Sequence, residues 1–279
     1  MITRGDYSAR DSEWNYSDIP HLNYVHTKVD AHTYFANNER VVNLFMQKFG
    51  PFSVPVSTYI EHLSSKEHTY VMNIIGMMVS VTTKHKSEGK LKALTITEYK
   101  FFYRSFLEKM ICFLFKLATR KNYKVLMSED VPMRNQKGFL RKNGITFLND
   151  NKAKIGFVET EDLSKVNVDA RNYFKKKKNL IADLNEVNKL TSLKDFFITI
   201  VNSENKLSLL ADICQHEGAN LKYDCNLKNK CMSSCPWHGK IISPLLVLDK
   251  LDPNVYKFEY LNQMFSAQIL NNKLLINVI

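Results

Sequence analysis

The sequence predicts an α+β protein in two parts: an antiparallel sheet with a helix over residues 1–185, then an all-β part over residues 186–279. Three observations predict it. Residues 41–104 alternate or run on in β-favouring apolar residues. Residues 105–121 repeat apolar side chains at helical spacing. Two strand–turn–strand signals then bracket a cluster of cysteines and histidines near the end.

Taken in order, residues 1–40 are polar and aromatic and contain His21, His26 and His32. Val54, Val56, Thr58 and Ile60 alternate with polar neighbours, as a half-buried strand does, and Tyr70 to Val81 is almost continuous β-favouring sequence. Lys86-Ser-Glu-Gly89 reads as a turn before a strand from Leu91 to Phe102. Phe106, Met110, Phe113, Leu114 and Leu117 fall at i, i+4, i+7, i+8 and i+11, which marks a helix over 105–121. Residues 145–165 are irregular and polar, a linker by composition. A second helix is expected over Val168 to Leu184, with Lys175 to Lys178 on a wet face. Phe196 to Val201 and Leu207 to Ala211 flank the turn Asn202-Ser-Glu-Asn205; Phe265 to Leu270 and Leu274 to Val278 flank Asn271-Asn272.

The 279 residues suffice for one large domain or two modest ones, and 44% hydrophobic content with 24% charged residues excludes a disordered majority. The formal net charge is +11, spread along the chain apart from the Lys175 run. With no nucleic-acid motif, this reads as a solvated lysine-rich surface suited to acidic protein partners. No stretch approaches the ~20 apolar residues of a membrane span, and the opening residues lack the apolar centre of a secretory signal. A cytoplasmic protein with no membrane or nucleic-acid partner is expected.

Of the five cysteines, Cys112 stands in the apolar helical stretch and reads as a buried structural thiol. The other four lie between 214 and 235, which in a reducing compartment points to metal before disulfides. Cys214-Gln-His216 and Cys235-Pro-Trp-His238-Gly239 place one Cys and one His on each of two loops. Two thiolates suit one iron and two imidazoles a second, the ligation that sets a His₂Cys₂ [2Fe–2S] centre apart from all-Cys clusters. The alternative is a tetrahedral Cys₂His₂ zinc site. Cys225 and Cys231 offer further thiolates that could bind zinc, join in a local disulfide or stay free.

These two loops resemble those of Rieske [2Fe–2S] domains. His216-Glu-Gly-Ala-Asn-Leu221 is similar to the first cluster loop, Cys235-Pro-Trp-His-Gly239 to the second, and the closing hairpin to Val278 falls where that family has one. The likeness covers about residues 188–279. It implies a cluster held by Cys214, His216, Cys235 and His238. Rieske proteins of respiratory complexes carry a loop disulfide beside the ligands, a placement that Cys225 and Cys231 do not match.

The first part carries Asp18-Ile-Pro-His21-Leu-Asn-Tyr-Val-His26, preceded by Asn15. On an ideal helix, residues five apart sit about 140° apart, so two such histidines meet at one metal only at a helix end or distorted turn. Pro20 suits a first turn and Asp18 a cap. By themselves these are ordinary polar histidines. The D-x2-H-x4-H pattern nonetheless resembles the catalytic motif of Rieske non-heme iron oxygenases. That resemblance implies a helix-grip-like antiparallel sheet, mononuclear iron(II) on His21 and His26, and a distant carboxylate completing the facial triad. Asp130, in Ser128-Glu-Asp-Val-Pro-Met133, is the best match and Glu129 the fallback; otherwise the pair are acidic residues at a helix start. Asp18 is implied as a catalytic link that bonds His21 and reaches His238 of a neighbouring subunit, in a trimer-like homo-oligomer. The family places its cluster domain first, whereas here it comes last.

The implied activity is an oxygenase that takes electrons from a ferredoxin or flavin-dependent reductase and uses O₂ to hydroxylate, demethylate or desaturate a small organic substrate. The alternative is a Rieske electron-transfer protein without oxygenase activity.

Overall fold

The computed structural model of the chain describes residues 1–27, 29–36, 40–49, 52–64, 67–74, 77–148, 174, 177, 179–187, 190–227 and 230–279. Most of the expected linker at 145–165 and the first part of the helix expected from Val168 lie outside them. The chain divides into two compact units. Unit 1 is Met1–Phe139 with Lys152–Val166; unit 2 is Leu140–Asn151 with Asn167–Ile279. The expected boundary at 185/186 differs from this division, since residues 140–151 and 167–185 belong to the second unit.

Unit 1 begins with strand β1 (Ile2–Gly5), helix α1 (Ala9–Ser17) and a short helix α2 (Leu22–Val25). Strands β2 (Val29–Ala36), β3 (Arg40–Phe49), β4 (Phe52–Ser64), β5 (Glu67–Ile74), β6 (Met77–Gly89) and β7 (Lys92–Phe102) follow, then helix α3 (Phe106–Lys142). The seven strands form one antiparallel sheet in the order β1-β7-β6-β5-β4-β3-β2. The period-2 reading holds: Met77, Val79, Val81, Thr83 and His85 are the buried positions of β6, and Ala93, Thr95 and Thr97 those of β7. Val56, Val79 and Val81 form a core cluster joined by Phe45, Tyr70 and Phe115. Each such apolar side chain contributes about 1.5–3 kcal/mol when fully buried. The run Tyr70 to Val81 is two antiparallel strands, β5 and β6, and not one; Ile74 pairs with Met77.

Ser8 caps α1: its Oγ accepts from the Asp11 N–H at 3.0 Å and donates to the Asp11 carboxylate at 2.8 Å. Ser105 and Glu108 do the same for α3, Ser105 Oγ accepting from the Glu108 N–H and Glu108 accepting from the Arg104 and Ser105 N–H groups. Helix α3 runs 21 residues past its expected end, through Pro132. A proline inside a helix removes one backbone donor, and the charged stretch after Leu117 weakens the apolar periodicity. Its five periodic residues, Phe106, Met110, Phe113, Leu114 and Leu117, are exposed; the opposite face, with buried Cys112 and Tyr123, turns inward. Cys112 Sγ sits 3.4 Å from Met77 Sδ.

Unit 2 comprises β8 (Asn179–Asp183), β9 (Leu190–Leu193), β10 (Ile198–Asn202), β11 (Lys206–Ala211), β12 (Lys222–Leu227), β13 (Lys230–Ser234), β14 (Ile241–Ile242), β15 (Leu246–Asp249), β16 (Tyr256–Tyr260), β17 (Gln263–Leu270) and β18 (Lys273–Val278). They form three antiparallel sheets, β15-β11-β10-β9, β12-β13-β14 and β16-β17-β18-β8. Residues 179–183, expected in a helix, are strand β8 paired with β18. Ile181 suits a pleated surface, and the pairing with β18 decides the conformation of this segment. Phe174, Phe196 and Phe265 are fully or nearly fully buried and meet ring to ring, with Phe174 and Phe265 centroids 5.3 Å apart.

Candidate metal centres

In unit 2, strand β11 delivers Cys214 and strand β13 delivers Cys235. Both cysteines then open the same tight loop. The Cys214 carbonyl accepts from the Gly218 N–H at 2.8 Å, and the Cys214 N–H donates to the Ala219 carbonyl at 2.8 Å. The Cys235 carbonyl likewise accepts from the Gly239 N–H at 2.8 Å, and its N–H donates to the Lys240 carbonyl at 2.8 Å. Gly218 and Gly239 both have positive φ, +87° and +64°, where a side chain is strained. The turns aim backbone N–H groups at sulfur: those of His216 and Glu217 reach Cys214, and those of Trp237 and His238 reach Cys235.

The loops bring all four expected ligands together. The His216 and His238 rings lie 5.2 Å apart edge to face, and His238 Nδ1 is 3.8 Å from Cys235 Sγ. The cysteines are buried at 2% and 1% exposure, whereas both histidines are half-buried. Cys214 and Cys235 hydrogen-bond to each other, which pulls Cys214 down to about 6, helped by the N–H groups aimed at it, and pushes Cys235 up. Two adjacent buried sulfurs cradled by amides, with two half-buried imidazoles beside them, fit the ligand set of a [2Fe–2S] cluster. Tyr260, fully buried, holds the approach: its hydroxyl accepts from the Ile213 N–H at 2.9 Å and has the Phe197 and Ile213 carbonyls at 3.0 and 3.1 Å. Cys225 and Cys231 form a disulfide across the β12–β13 hairpin.

In unit 1, His21 ends a 3₁₀ turn from Ile19, and His26 follows α2, so the chain bends between them as two ligands five residues apart require. Asp130 lies within α3. One ligand atom from each of His21, His26 and Asp130 lies within 4.8 Å of the others, and all three residues are buried. His26 Nε2 is 3.3 Å and His21 Nε2 3.6 Å from Asp130 Oδ1. His21 Nε2 is buried without a hydrogen bond. Two imidazoles and one carboxylate, with an orphaned nitrogen among them, suit a divalent transition metal.

Outer partners orient each donor. The Asp18 backbone carbonyl accepts from His21 Nδ1, so Asp18 meets His21 through its main chain. Glu129, the fallback ligand, sits 2.7 Å from His26 Nδ1 and holds that ring from behind. Asn15 Nδ2 donates to Asp130 Oδ1 at 3.3 Å, and Arg134, one turn on, lies 3.5 Å from Oδ2. Burial pushes the Asp130 carboxyl up, but the two imidazoles and Arg134 outweigh it and hold it well below the usual carboxylate range. Burial lowers His26, and the carboxylates of Asp130 and Glu129 reverse that, leaving it raised. Arg134 had no role in the sequence reading. Its i+4 spacing from Asp130 was the available signal.

A cavity of about 260 Å³ opens beside these three residues, walled by Ile19, Val56, Val81, Phe115, Tyr99 and Leu126 among others. Its lining is mostly apolar, with Tyr16, Gln47, Thr97, Thr119 and Asn122 among its polar points.

A Rieske [2Fe-2S] domain matches residues 165–243. No curated protein matches the chain. Two solved structures are similar at low identity. The di-domain ARO/CYC StfQ from the steffimycin biosynthetic pathway is 7% identical, with a TM-score of 0.41 over 100% of this chain and 82% of that one. The di-domain ARO/CYC BexL from the BE-7585A biosynthetic pathway is 8% identical, with a TM-score of 0.39 over 100% and 84%. At those scores neither assigns an activity to this chain. The oxygenase class expected from the sequence is corrected here: the family match is to a Rieske domain, and a Rieske domain alone does not establish oxygenase activity. The physical reason is that Rieske ligands confer one-electron exchange, and nothing in that domain establishes oxygen insertion. Residues 165–243, which contain all four expected cluster ligands, form a Rieske [2Fe–2S] domain.

Proposed function

We propose that this chain is a Rieske-type electron-transfer protein whose first unit binds a divalent transition metal beside an apolar pocket. One observation carries the reading: two loops of the same hydrogen-bond pattern present two buried cysteines and two half-exposed histidines. When bound, the cluster supplies one-electron transfer. Cys214 and Cys235 would hold one iron, with the amide N–H groups stabilising their negative charge. His216 and His238 would hold the other, and their half-exposed rings leave room for an external donor to approach. A ferredoxin or flavin-dependent reductase is the proposed donor, since the basic chain attracts acidic proteins.

In unit 1, we read the sheet with α3 as a helix-grip-like cup. His21, His26 and Asp130 hold iron(II) at its mouth, Glu129 and the Asp18 carbonyl fix the rings, and Arg134 with Asn15 orients the carboxylate. The apolar walls exclude water and select a small, mostly hydrocarbon ligand.

The test is a redox titration of the cluster-loaded protein followed by rapid reduction with a ferredoxin. A potential within about −150 to +300 mV and a rate that falls with ionic strength support the proposal. A redox-silent protein carrying zinc on the two loops would overturn it.

A further inference from the structure

We propose that the first half of α3 docks on an anionic lipid bilayer, lying in its interface. This inference concerns the surface of unit 1 and stands apart from the redox reading.

The residues whose spacing predicted the helix point outward. Phe106 is 77% exposed, Leu107 70%, Leu114 65%, Phe113 62% and Met110 57%. At about 100° per residue, these and Leu117 cover an arc of roughly 120° and a length of about 17 Å. Soluble proteins seldom leave so many large apolar side chains contiguous and uncovered; such a patch marks an interaction site. The opposite face of the same helix is committed to the cavity through Phe115, Thr119 and Tyr123. The helix therefore cannot rotate to hide the stripe.

Charge identifies the occupant. Lys109, Lys116 and Arg120 run along one flank of the stripe, and Lys121 and Lys124 continue its outward face; all five are exposed. Lys100 and Arg104 precede it. Between residues 100 and 124 these seven cations meet one carboxylate, Glu108. That carboxylate caps the helix by accepting from the Arg104 and Ser105 N–H groups. A second copy of the chain would bring the same cations to the same face, opposed by like charge. An apolar stripe with cationic flanks instead fits acyl chains beneath anionic headgroups, with the long Lys and Arg stems reaching up to them. Among the described residues no helix is long and apolar enough to cross a membrane, and an interfacial helix needs only one apolar face.

The test is co-sedimentation of the full, cluster-loaded chain with vesicles of phosphatidylcholine alone or mixed with phosphatidylserine. Binding should be about tenfold tighter to the anionic vesicles and should weaken with salt. The triple substitution Phe106→Ser, Phe113→Ser, Leu114→Ser should abolish it while leaving the cluster spectrum unchanged. Lys109→Gln with Lys116→Gln and Arg120→Gln should remove the preference for anionic lipid. A Phe113→Trp substitution gives a readout in otherwise intact protein: its emission should shift to the blue on vesicle addition. Failure of the wild-type chain to bind either vesicle overturns the proposal. So does a self-associated species in sedimentation equilibrium that the triple substitution dissolves, because a second copy would then be the occupant.

Discussion

Gly218 and Gly239 occupy the same position in two separate loops, each donating its N–H to the carbonyl of the cysteine four residues before it, at 2.8 Å. Both need positive φ, and a Cβ on Gly218 would fall 2.6 Å from the Phe147 ring. Gly218→Ala should therefore cost at least ~1 kcal/mol and lower cluster occupancy. Thermal melting with iron and sulfide analysis would check both effects.

Tyr260→Phe removes the hydroxyl that ties Ile213, the neighbour of Cys214, to the Phe197 strand end. The buried Ile213 N–H loses its acceptor, so a loss of about 1–3 kcal/mol in chemical denaturation is expected. An unchanged midpoint would mean that the tether carries no stability.

Asp130→Asn should abolish metal binding in unit 1 and destabilise the fold, because Arg134 is fully buried beside that carboxylate. Glu129→Gln should only weaken metal affinity, by about 10–100-fold, since Glu129 acts on the His26 ring from behind. Titration with iron(II) or zinc, watching the cluster spectrum as an internal control, separates the two cases. Equal effects from both substitutions would contradict the division of roles.

Replacing Cys225 and Cys231 by serine removes a bond whose partners are six residues apart. A loop that short predicts a loss of about 2 kcal/mol, with the cluster still assembled, because neither residue is a ligand. Loss of the cluster in the double variant would place the disulfide in the site itself.

Much of this was legible because the chemistry is local in sequence. The candidate cluster ligands come as two tight pairs, so Cys214, His216, Cys235 and His238 stand out without knowledge of the fold, and the structure brings them together. His21 and His26 were ambiguous alone: only the 3₁₀ turn ending at His21 shows how two histidines five apart face one point, and Asp130 joins them from more than a hundred residues away. The expected helix stops short because the apolar repeat fades after Leu117, whereas the contacts of Asp130 with His21 and His26 and of Arg134 with Asn15 of α1 hold the longer helix in place. Residues 179–183 form a strand and not the expected helix because β8 pairs with β18, a partner some ninety residues on that local pattern does not reveal. The fate of Cys225 and Cys231 depended on the register of one hairpin, which spacing alone does not fix.

Iron and acid-labile sulfide analysis of anaerobically purified protein, with the spectrum of the reduced cluster, decides whether the two loops carry a Rieske centre. The expected result is a Rieske-type signal with about two sulfides per chain, about two irons when unit 1 is empty and a third when His21, His26 and Asp130 are filled. A chain that carries stoichiometric zinc, no labile sulfide and no such signal would contradict it.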